Sequence, residues 1–290
     1  MSGQVPSIGF QGELGAYSEE AVLGYFGPAV EPRPLPTFRA VCAGVEAGEL
    51  ASGVIPTENS LAGSVGEALD ALSESQLVVV GELLLPVRHR LLGIDGAVLG
   101  GIRRVASHPQ ALAQCGAYLA ARGWQLIPAE DTAGSARALS ETGDRTLAVI
   151  ASARAAERYG LVILAADDLA AADNVTRFAI VVRPGLAAPP ADGPLAPRPD
   201  APRSTLVIFE TQHGPGALHA ALGAFADAGV NLTRIESRPT RRASWEYRFV
   251  VQLEGDAGVE PVRSALGSLA EHAQAIRLLG TFPSADAAPS

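Results

Sequence analysis

The feature that most constrains the fold of this chain is a proline-rich segment between residues 184 and 202. Seven of its nineteen residues are proline, and two more are glycine. Because proline lacks the backbone N–H that helices and strands require, such a segment favours an extended linker. It divides the 290-residue chain into two parts, and we predict domains over 1–183 and 204–283, a linker over 184–203 and a tail over 284–290.

The pattern of apolar and polar residues differs between the two parts. In the first part, short β-rich runs such as Ile8–Phe10 and Arg104–Ala106 each lead through a polar cluster into a helical stretch. This alternation predicts an α/β domain with a largely parallel sheet. The second part reads strand, helix, strand, strand, helix, strand, which predicts a ferredoxin-like βαββαβ domain.

Composition excludes several classes of function. The formal net charge is −9, from 22 basic and 31 acidic residues, so the chain has no overall field for nucleic acid or anionic membrane. No run approaches the roughly 18 apolar residues of a membrane span, and no signal peptide is evident. Two isolated cysteines indicate the cytoplasm. The histidines form no metal motif, and GxxGxxG at 9–15 lacks a Walker lysine, so neither a metal nor a nucleotide is expected.

Polar clusters follow three predicted strands, and a fourth cluster precedes the last strand of the first part. Ligands of open α/β sheets bind at the carboxyl ends of strands, and the helix starts found there favour carboxylates. One such cluster is an ordinary capping arrangement, but three in one domain favour an anion site. Arg177, in the fourth cluster, is either a buried ion-pair partner or a bidentate carboxylate clamp.

Five stretches of the first part together resemble prephenate dehydratase. They are GFQGELGAYSEEA (9–21), GVIPTENSLAGSV (53–65), SHPQALAQC (107–115), DTAGSARAL (131–139) and NVTRF (174–178). HGPGAL (213–218) and NLTRIESRP (231–239) resemble an ACT regulatory domain. The resemblance implies conversion of prephenate to phenylpyruvate, CO2 and water without a cofactor, in phenylalanine biosynthesis. It also implies a periplasmic-binding-protein-like domain with lobes of about 1–80 plus 178–183 and 81–177. Since the chain starts at the first strand, we expect the monofunctional form.

The resemblance also assigns residues. Thr176 is expected to donate a hydrogen bond to the departing hydroxyl of prephenate. Arg177 is expected to bind a carboxylate of the substrate, and Phe178 to pack against its ring. Further substrate contacts are expected from Glu58, Asn59, Ser60, Ser107, Gln110, Thr132, Ser135 and Asn174. Phenylalanine, the expected effector, would bind between ACT domains of a homodimer or homotetramer, through Gly216, Ala217 and Leu218 of one subunit and Asn231, Leu232, Glu236, Ser237 and Arg238 of another. His219 replaces the usual small apolar residue there, which leaves open the identity of the effector and the sign of its regulation.

Two other functions remain compatible with these residues. An arogenate dehydratase performs the same elimination on the amino analogue of prephenate, and one altered contact could separate the two. A non-catalytic sensor would use the two lobes and the ACT domain only to bind amino acids. The intact Thr176-Arg177-Phe178 sequence argues against the sensor, because pure binding needs no donor for a leaving group.

Overall fold

The computed structural model describes residues 5–166, 169–170, 173–212, 214–240, 242 and 246–285; residues 286–290 of the expected tail lie outside this part. The helices are α1 Tyr17–Phe26, α2 Phe38–Ala47, α3 Gly66–Glu74, α4 Pro109–Gln114, α5 Gly116–Ala120, α6 Thr132–Thr142, α7 Ala153–Tyr159, α8 Ala217–Asp227 and α9 Val262–His272. The strands are β1 Ser7–Gln11, β2 Glu31–Leu35, β3 Ser52–Asn59, β4 Gly63–Ser64, β5 Val78–Pro86, β6 Arg90–Gly93, β7 Arg104–Ser107, β8 Gln125–Pro128, β9 Leu147–Ala151, β10 Val162–Ala165, β11 Val175–Val182, β12 Arg203–Thr211, β13 Leu232–Pro239, β14 Tyr247–Glu254 and β15 Ala273–Pro283.

The first domain consists of two lobes, each built on its own sheet. The sheet of the first lobe has the order β2-β1-β3-β11-β5, with β4 paired to β3, and that of the second lobe has the order β10-β6-β9-β7-β8. The chain leaves the first lobe after β5 and returns to it in β11. This confirms the periplasmic-binding-protein-like architecture expected from the resemblance.

The lobe boundaries differ from the expected ones. Strands β5 and β11 pair along their whole length, from Val78 with Val182 to Pro86 with Val175. Residues 81–86 and 175–177 therefore belong to the first lobe, and the crossings lie at 87–89 and around 174. The expectation was wrong by several residues because a sequence does not show where a long strand stops pairing and starts to cross.

Neither sheet is largely parallel. Strand β1 runs parallel to β2 and β3, and β7 runs parallel to β8 and β9. The pairs β3–β11, β5–β11, β6–β9 and β6–β10 are antiparallel. In the first lobe this mixture has a simple cause: β5 carries the chain out of the lobe and β11 carries it back, so the two strands run in opposite directions.

The second domain has the predicted βαββαβ order, with a four-stranded antiparallel sheet in the order β13-β14-β12-β15. Helices α8 and α9 cover one face, where Phe209 and Phe225 are buried. The other face packs on the first lobe, since Leu206 and Ile208 share one core with Leu69 of α3. The two domains are therefore in direct contact.

The proline-rich segment is attached to the first lobe. The N–H groups of Gly193 and Leu195 donate to the carbonyls of Tyr25 and Gly24 in α1, at 2.9 and 2.7 Å. Gly24 permits this approach because a Cβ there would lie 2.9 Å from Cδ1 of Leu195. Within the described residues, no helix combines the length and apolar character needed to span a bilayer.

Candidate active site

A cleft of about 420 Å³ lies between the lobes of the first domain. The first lobe lines it with Asn59 at the end of β3 and with Thr176 and Phe178 of β11; the second lobe contributes Gln110 and Thr132. All five were expected at the site, and the fold brings them together because strand ends and helix starts of both lobes meet at the cleft.

The hydroxyl of Thr176 is oriented by Asn59. Nδ2 of Asn59 donates to Oγ1 of Thr176 at 3.0 Å, while Oδ1 of Asn59 accepts from the N–H groups of Leu61 and Ala62 at 3.1 and 2.9 Å. Because a backbone N–H can only donate, these two bonds fix which end of the amide faces Thr176. Oγ1 of Thr176 accepts from Asn59, so its own hydrogen remains available to an acceptor in the cleft.

Asn174 lies behind the cleft wall and holds Asn59. Its side chain is buried, and its Oδ1 accepts from Nδ2 of Asn59 at 2.7 Å. Its own Nδ2 donates to Oε1 of Gln114 at 3.1 Å. The structure therefore places Asn174 in a supporting position instead of in contact with a ligand.

Three serines expected to contact substrate do not line the cleft. The hydroxyls of Ser60, Ser107 and Ser135 donate to the backbone carbonyls of Asp173, Ile150 and Asp131, at 2.8, 2.7 and 2.7 Å. They hold a loop, a strand pair and a helix start in place. The expectation is corrected for all three, because a serine at a strand end can satisfy the backbone as readily as a ligand.

Neither Arg177 nor Glu58 is among the described residues that line the cleft. Arg177 lies between Thr176 and Phe178 on β11, and successive side chains of a strand point to opposite faces of the sheet. Nε of Arg177 lies 3.3 Å from Oε2 of Glu58, and Nη1 lies 2.8 Å from Oε2 of Glu82. Glu82 is buried and also accepts from Nε2 of Gln252 in the second domain, at 2.8 Å. The structure thus shows Arg177 as a half-buried ion-pair partner of the buried Glu82 and corrects the expectation of a carboxylate clamp.

Tyr17, His89 and Gln114 line the cleft but were not singled out from the sequence. The Tyr17 hydroxyl lies 3.0 Å from Nδ1 of His89, and Nε2 of His89 lies 2.8 Å from Oε1 of Gln114. Burial lowers the pKa of His89 and raises the pKa of Tyr17 well above its usual value, so both are neutral near pH 7. Gln114 could have been found four residues after Gln110 on one helical face, whereas no local pattern points to His89.

The charged side chains that line the described cleft are acidic. Glu67, Glu130 and Asp131 face it, and neither arginine nor lysine is among the described lining residues. Asp131 caps α6, since its Oδ1 accepts from the N–H of Gly134 at 2.6 Å. Helix α1 begins at the cleft without a side-chain cap, so its first N–H groups favour an anion. Among the described side chains, no cluster of three His, Cys, Asp or Glu could hold a metal ion.

The residues expected to bind an effector lie in two different parts of the second domain, at a cavity and along β13. Ala217 and Leu218, next to Gly216, line a cavity of about 240 Å³ in the second domain, together with Tyr247 and Phe249.

The remaining expected effector residues lie along β13. Glu236 accepts from Oγ of Ser64 at 2.9 Å, and Arg238 pairs with Asp70 at 2.9 and 3.0 Å. These two contacts belong to the interdomain interface within one chain, and a contribution of these residues to an effector site between subunits stays a prediction. Asn231 and Ser237 are exposed, and Leu232 packs on the core of the second domain.

Comparison with known proteins agrees with this architecture. The family model of prephenate dehydratase matches residues 8–185, and that of the ACT domain matches 205–271. Arogenate dehydratase/prephenate dehydratase 1 of Arabidopsis thaliana is 40% identical over an alignment of 290 positions, which covers 95% of this chain and 71% of that protein.

Two solved structures have the same fold over nearly the whole chain. The prephenate dehydratase of Arthrobacter aurescens in complex with L-Phe is 32% identical with a TM-score of 0.86, covering 98% of this chain and 92% of that one. GqqA, described as a novel type of quorum quenching acylase, is 36% identical with a TM-score of 0.84, covering 96% and 98%. The chain therefore belongs to the prephenate dehydratase family of lyases and carries a C-terminal ACT domain.

Proposed function

We propose that this enzyme converts prephenate to phenylpyruvate, CO2 and water in the cleft between its lobes. The observation that carries the proposal is the Thr176 hydroxyl, which accepts a hydrogen bond from Asn59 and so presents its own hydrogen to the cleft. Such a donor is what a departing hydroxide needs. The apolar side chain of Phe178 lines the same cavity, where it can contact the ring.

The reaction requires one proton for each turnover. The bond between the ring and its carboxylate breaks and CO2 leaves, the electron pair moves through the diene, and the carbon–oxygen bond breaks at the opposite ring carbon. Prephenate dianion plus one proton thus gives phenylpyruvate anion, CO2 and water. Thr176 donates a hydrogen bond to the departing oxygen, and solvent supplies the net proton. General acid catalysis typically contributes ~10²- to 10⁴-fold, and orientation and electrostatics supply much of the remainder.

An acylase reaction, as described for GqqA, makes different demands on the cleft. Amide hydrolysis by a hydroxyl nucleophile needs an adjacent base that accepts its proton. Within the described residues, Oγ1 of Thr176 accepts a hydrogen bond from the side-chain amide of Asn59. No described carboxylate or imidazole forms a hydrogen bond with this Oγ1. This geometry favours the elimination.

Kinetics of the Thr176→Val variant test the proposal. The substitution keeps the branched shape and removes only the hydroxyl. We expect kcat with prephenate to fall at least ~10²-fold, while a Thr142→Val control at the far end of α6 keeps full activity. Phenylpyruvate formation is followed by absorbance, with a no-enzyme sample to correct for spontaneous conversion. Full turnover by Thr176→Val would remove Thr176 from the mechanism.

Arogenate is the second candidate substrate, and the acidic lining of the cleft favours it. Arogenate carries an ammonium group where prephenate has a keto oxygen, so the carboxylates of Glu67 and Glu130 would attract it. Both side chains are exposed, and an exposed ion pair contributes about 0.2–1 kcal/mol. Each carboxylate would therefore favour arogenate by up to about fivefold.

Measuring kcat/KM for both substrates distinguishes the two candidates. Glu67→Gln and Glu130→Gln should lower the ratio of arogenate to prephenate activity, while Glu49→Gln, at an exposed position away from the cleft, should leave it unchanged. A wild-type ratio well below one, unaffected by these variants, would leave prephenate as the substrate. Turnover of neither substrate by folded protein would instead support the binding-protein alternative.

We also infer that phenylalanine binds the ACT domain and regulates the enzyme. The cavity near Leu218 combines an apolar wall from Tyr247 and Phe249 with the carboxylate of Glu246, which suits an aromatic amino acid. The related Arthrobacter aurescens structure is a complex with L-Phe. Exposed Ile235 and Leu278 on the outer strands of the ACT sheet suit a homodimer or homotetramer. The cytoplasm remains the expected location.

Calorimetry with L-Phe tests this inference. Wild-type protein should bind it, Leu218→Asp should not, and the control Leu126→Asp, at an exposed position of the second lobe, should bind normally. Coupling to activity should amount to about 1–3 kcal/mol, seen as a change in rate at saturating phenylalanine. Absence of binding to the wild type would refute the effector, and light scattering gives the oligomeric state independently.

A further inference from the structure

A continuous network of hydrogen-bonded side chains connects Tyr17 to Thr176. Its first part joins the Tyr17 hydroxyl to Nδ1 of His89 at 3.0 Å, and Nε2 of His89 to Oε1 of Gln114 at 2.8 Å. The same Oε1 accepts from Nδ2 of Asn174, at 3.1 Å. Asn59 then connects Asn174 to Thr176, as described above. His89 and Asn174 are 5% and 1% exposed, so a broken link would leave a buried polar group without a partner.

The direction of every hydrogen bond in this network follows from the Asn59 amide, whose orientation the backbone fixes. Two backbone N–H groups turn Oδ1 of Asn59 away from Thr176, so Nδ2 of Asn59 must donate to Asn174 and Thr176. Asn174 can then only offer Nδ2 to Gln114, and Gln114 can only offer an oxygen to His89. His89 therefore carries its proton on Nε2 and accepts at Nδ1 from the Tyr17 hydroxyl.

The residues of this hydrogen-bonded network come from both lobes and from both crossings. Tyr17 begins helix α1 of the first lobe, and Gln114 ends helix α4 of the second. His89 lies in the first crossing and Asn174 at the second, and the crossings are themselves joined by a bond from the Val87 N–H to the Asn174 carbonyl, at 2.8 Å. The hydrogen-bonded network is therefore complete only in this relative position of the lobes.

We propose that His89 and Tyr17 are positioning residues that hold the Thr176 hydroxyl in its donating orientation in this relative position of the lobes. This rests on the proposed elimination, in which Thr176 is the donor. His89 fixes the amide of Gln114, which fixes Asn174 and, through it, Asn59. The Tyr17 hydroxyl donates to Nδ1, the other ring nitrogen, and so completes the hydrogen bonds of the His89 ring. A misplacement of about 1 Å at a reacting group costs up to ~10²-fold in rate.

Two substitutions of His89 separate its two bonds. A glutamine amide reaches the position of Nε2, so His89→Gln keeps the donor to Gln114 and loses the acceptor for Tyr17. An asparagine amide reaches the position of Nδ1, so His89→Asn keeps the acceptor and loses the donor. The link to Thr176 runs through Gln114. We therefore expect kcat to fall about 10- to 100-fold in His89→Asn and less in His89→Gln and Tyr17→Phe, with KM nearly unchanged. Tyr25→Phe, a buried tyrosine on the same helix, is the matched control and should keep full kcat.

A double-mutant cycle with Thr176→Val separates positioning from simple structural support. If His89 acts through Thr176, His89→Asn lowers kcat in the wild-type background and has no further effect in the Thr176→Val background. An equal fall in both backgrounds would overturn the inference, as would unchanged kcat in His89→Asn. If Thr176→Val itself keeps full activity, the proposed function fails instead. Melting temperatures of all variants verify folding, and His89→Gln provides the comparison should His89→Asn fail to fold.

Discussion

Replacing Arg177 should cost stability and leave substrate binding intact, because Arg177 is paired with a buried carboxylate outside the cleft. In an Arg177→Met variant, Glu82 loses a partner at 2.8 Å. Loss of one partner from a buried ion pair costs about 3–5 kcal/mol. The Arg177 side chain is 29% exposed, and Gln252 and the Ala285 N–H still donate to Glu82 at 2.8 and 3.3 Å. We therefore expect the lower end of that range, about 3 kcal/mol.

Calorimetric melting measures this effect directly. At about 2–4 °C per kcal/mol for a unit of 150–250 residues, the melting temperature of Arg177→Met should fall by roughly 6–12 °C. Adding Glu82→Gln should recover part of the loss, because the double variant no longer buries an unpaired charge. The exposed pair formed by Arg263 and Glu260 at 2.8 Å provides a control, since Arg263→Met should cost less than about 1 kcal/mol.

Steady-state kinetics of the same variant supply the refuting result. With Arg177 outside the cleft, KM for the preferred substrate should stay within about twofold of the wild-type value, because no substrate contact is lost. A tenfold or larger rise of KM, combined with an unchanged melting temperature, would show that Arg177 clamps a substrate carboxylate. The ion-pair reasoning would then be wrong.

Three further perturbations have defined outcomes. Burial raises the pKa of Cys42 to about 11 and of Cys115 to about 12, so iodoacetamide at pH 8 should label neither thiol before unfolding, as read by mass spectrometry. Replacing Leu195 by Asp should detach the proline-rich segment from α1 and speed its cleavage in limited proteolysis, while Leu186→Asp, an exposed control, should not. Burial raises the pKa of Glu19, but hydrogen bonds from Arg154 and a backbone amide outweigh it and lower the pKa. The stabilisation from this carboxylate is present above its unfolded pKa of about 4.3 and is lost as the pH falls through the lower folded pKa, so Glu19→Gln should flatten the acid limb of stability against pH.

The sequence was sufficient to predict an α/β first domain and a βαββαβ second domain from their patterns of apolar and polar residues, and the two lobes from the resemblance to prephenate dehydratase. It did not predict the function of each polar residue, because a motif records neighbours along the chain and not the direction of a side chain. Ser107 and Ser135 satisfy backbone carbonyls at 2.7 Å, and that use is invisible before folding. His89 was missed since its partners Tyr17 and Gln114 lie 72 and 25 residues away.

Strand β11 serves two sites with successive side chains. Thr176 and Phe178 line the cleft, whereas Arg177, between them, joins Glu82 and, through it, Gln252 of the ACT sheet. The same ACT strand, β14, carries Tyr247 and Phe249 at the second cavity. Neighbouring residues of β11 thus line the cleft and connect, through Glu82 and Gln252, to the ACT strand that lines the second cavity.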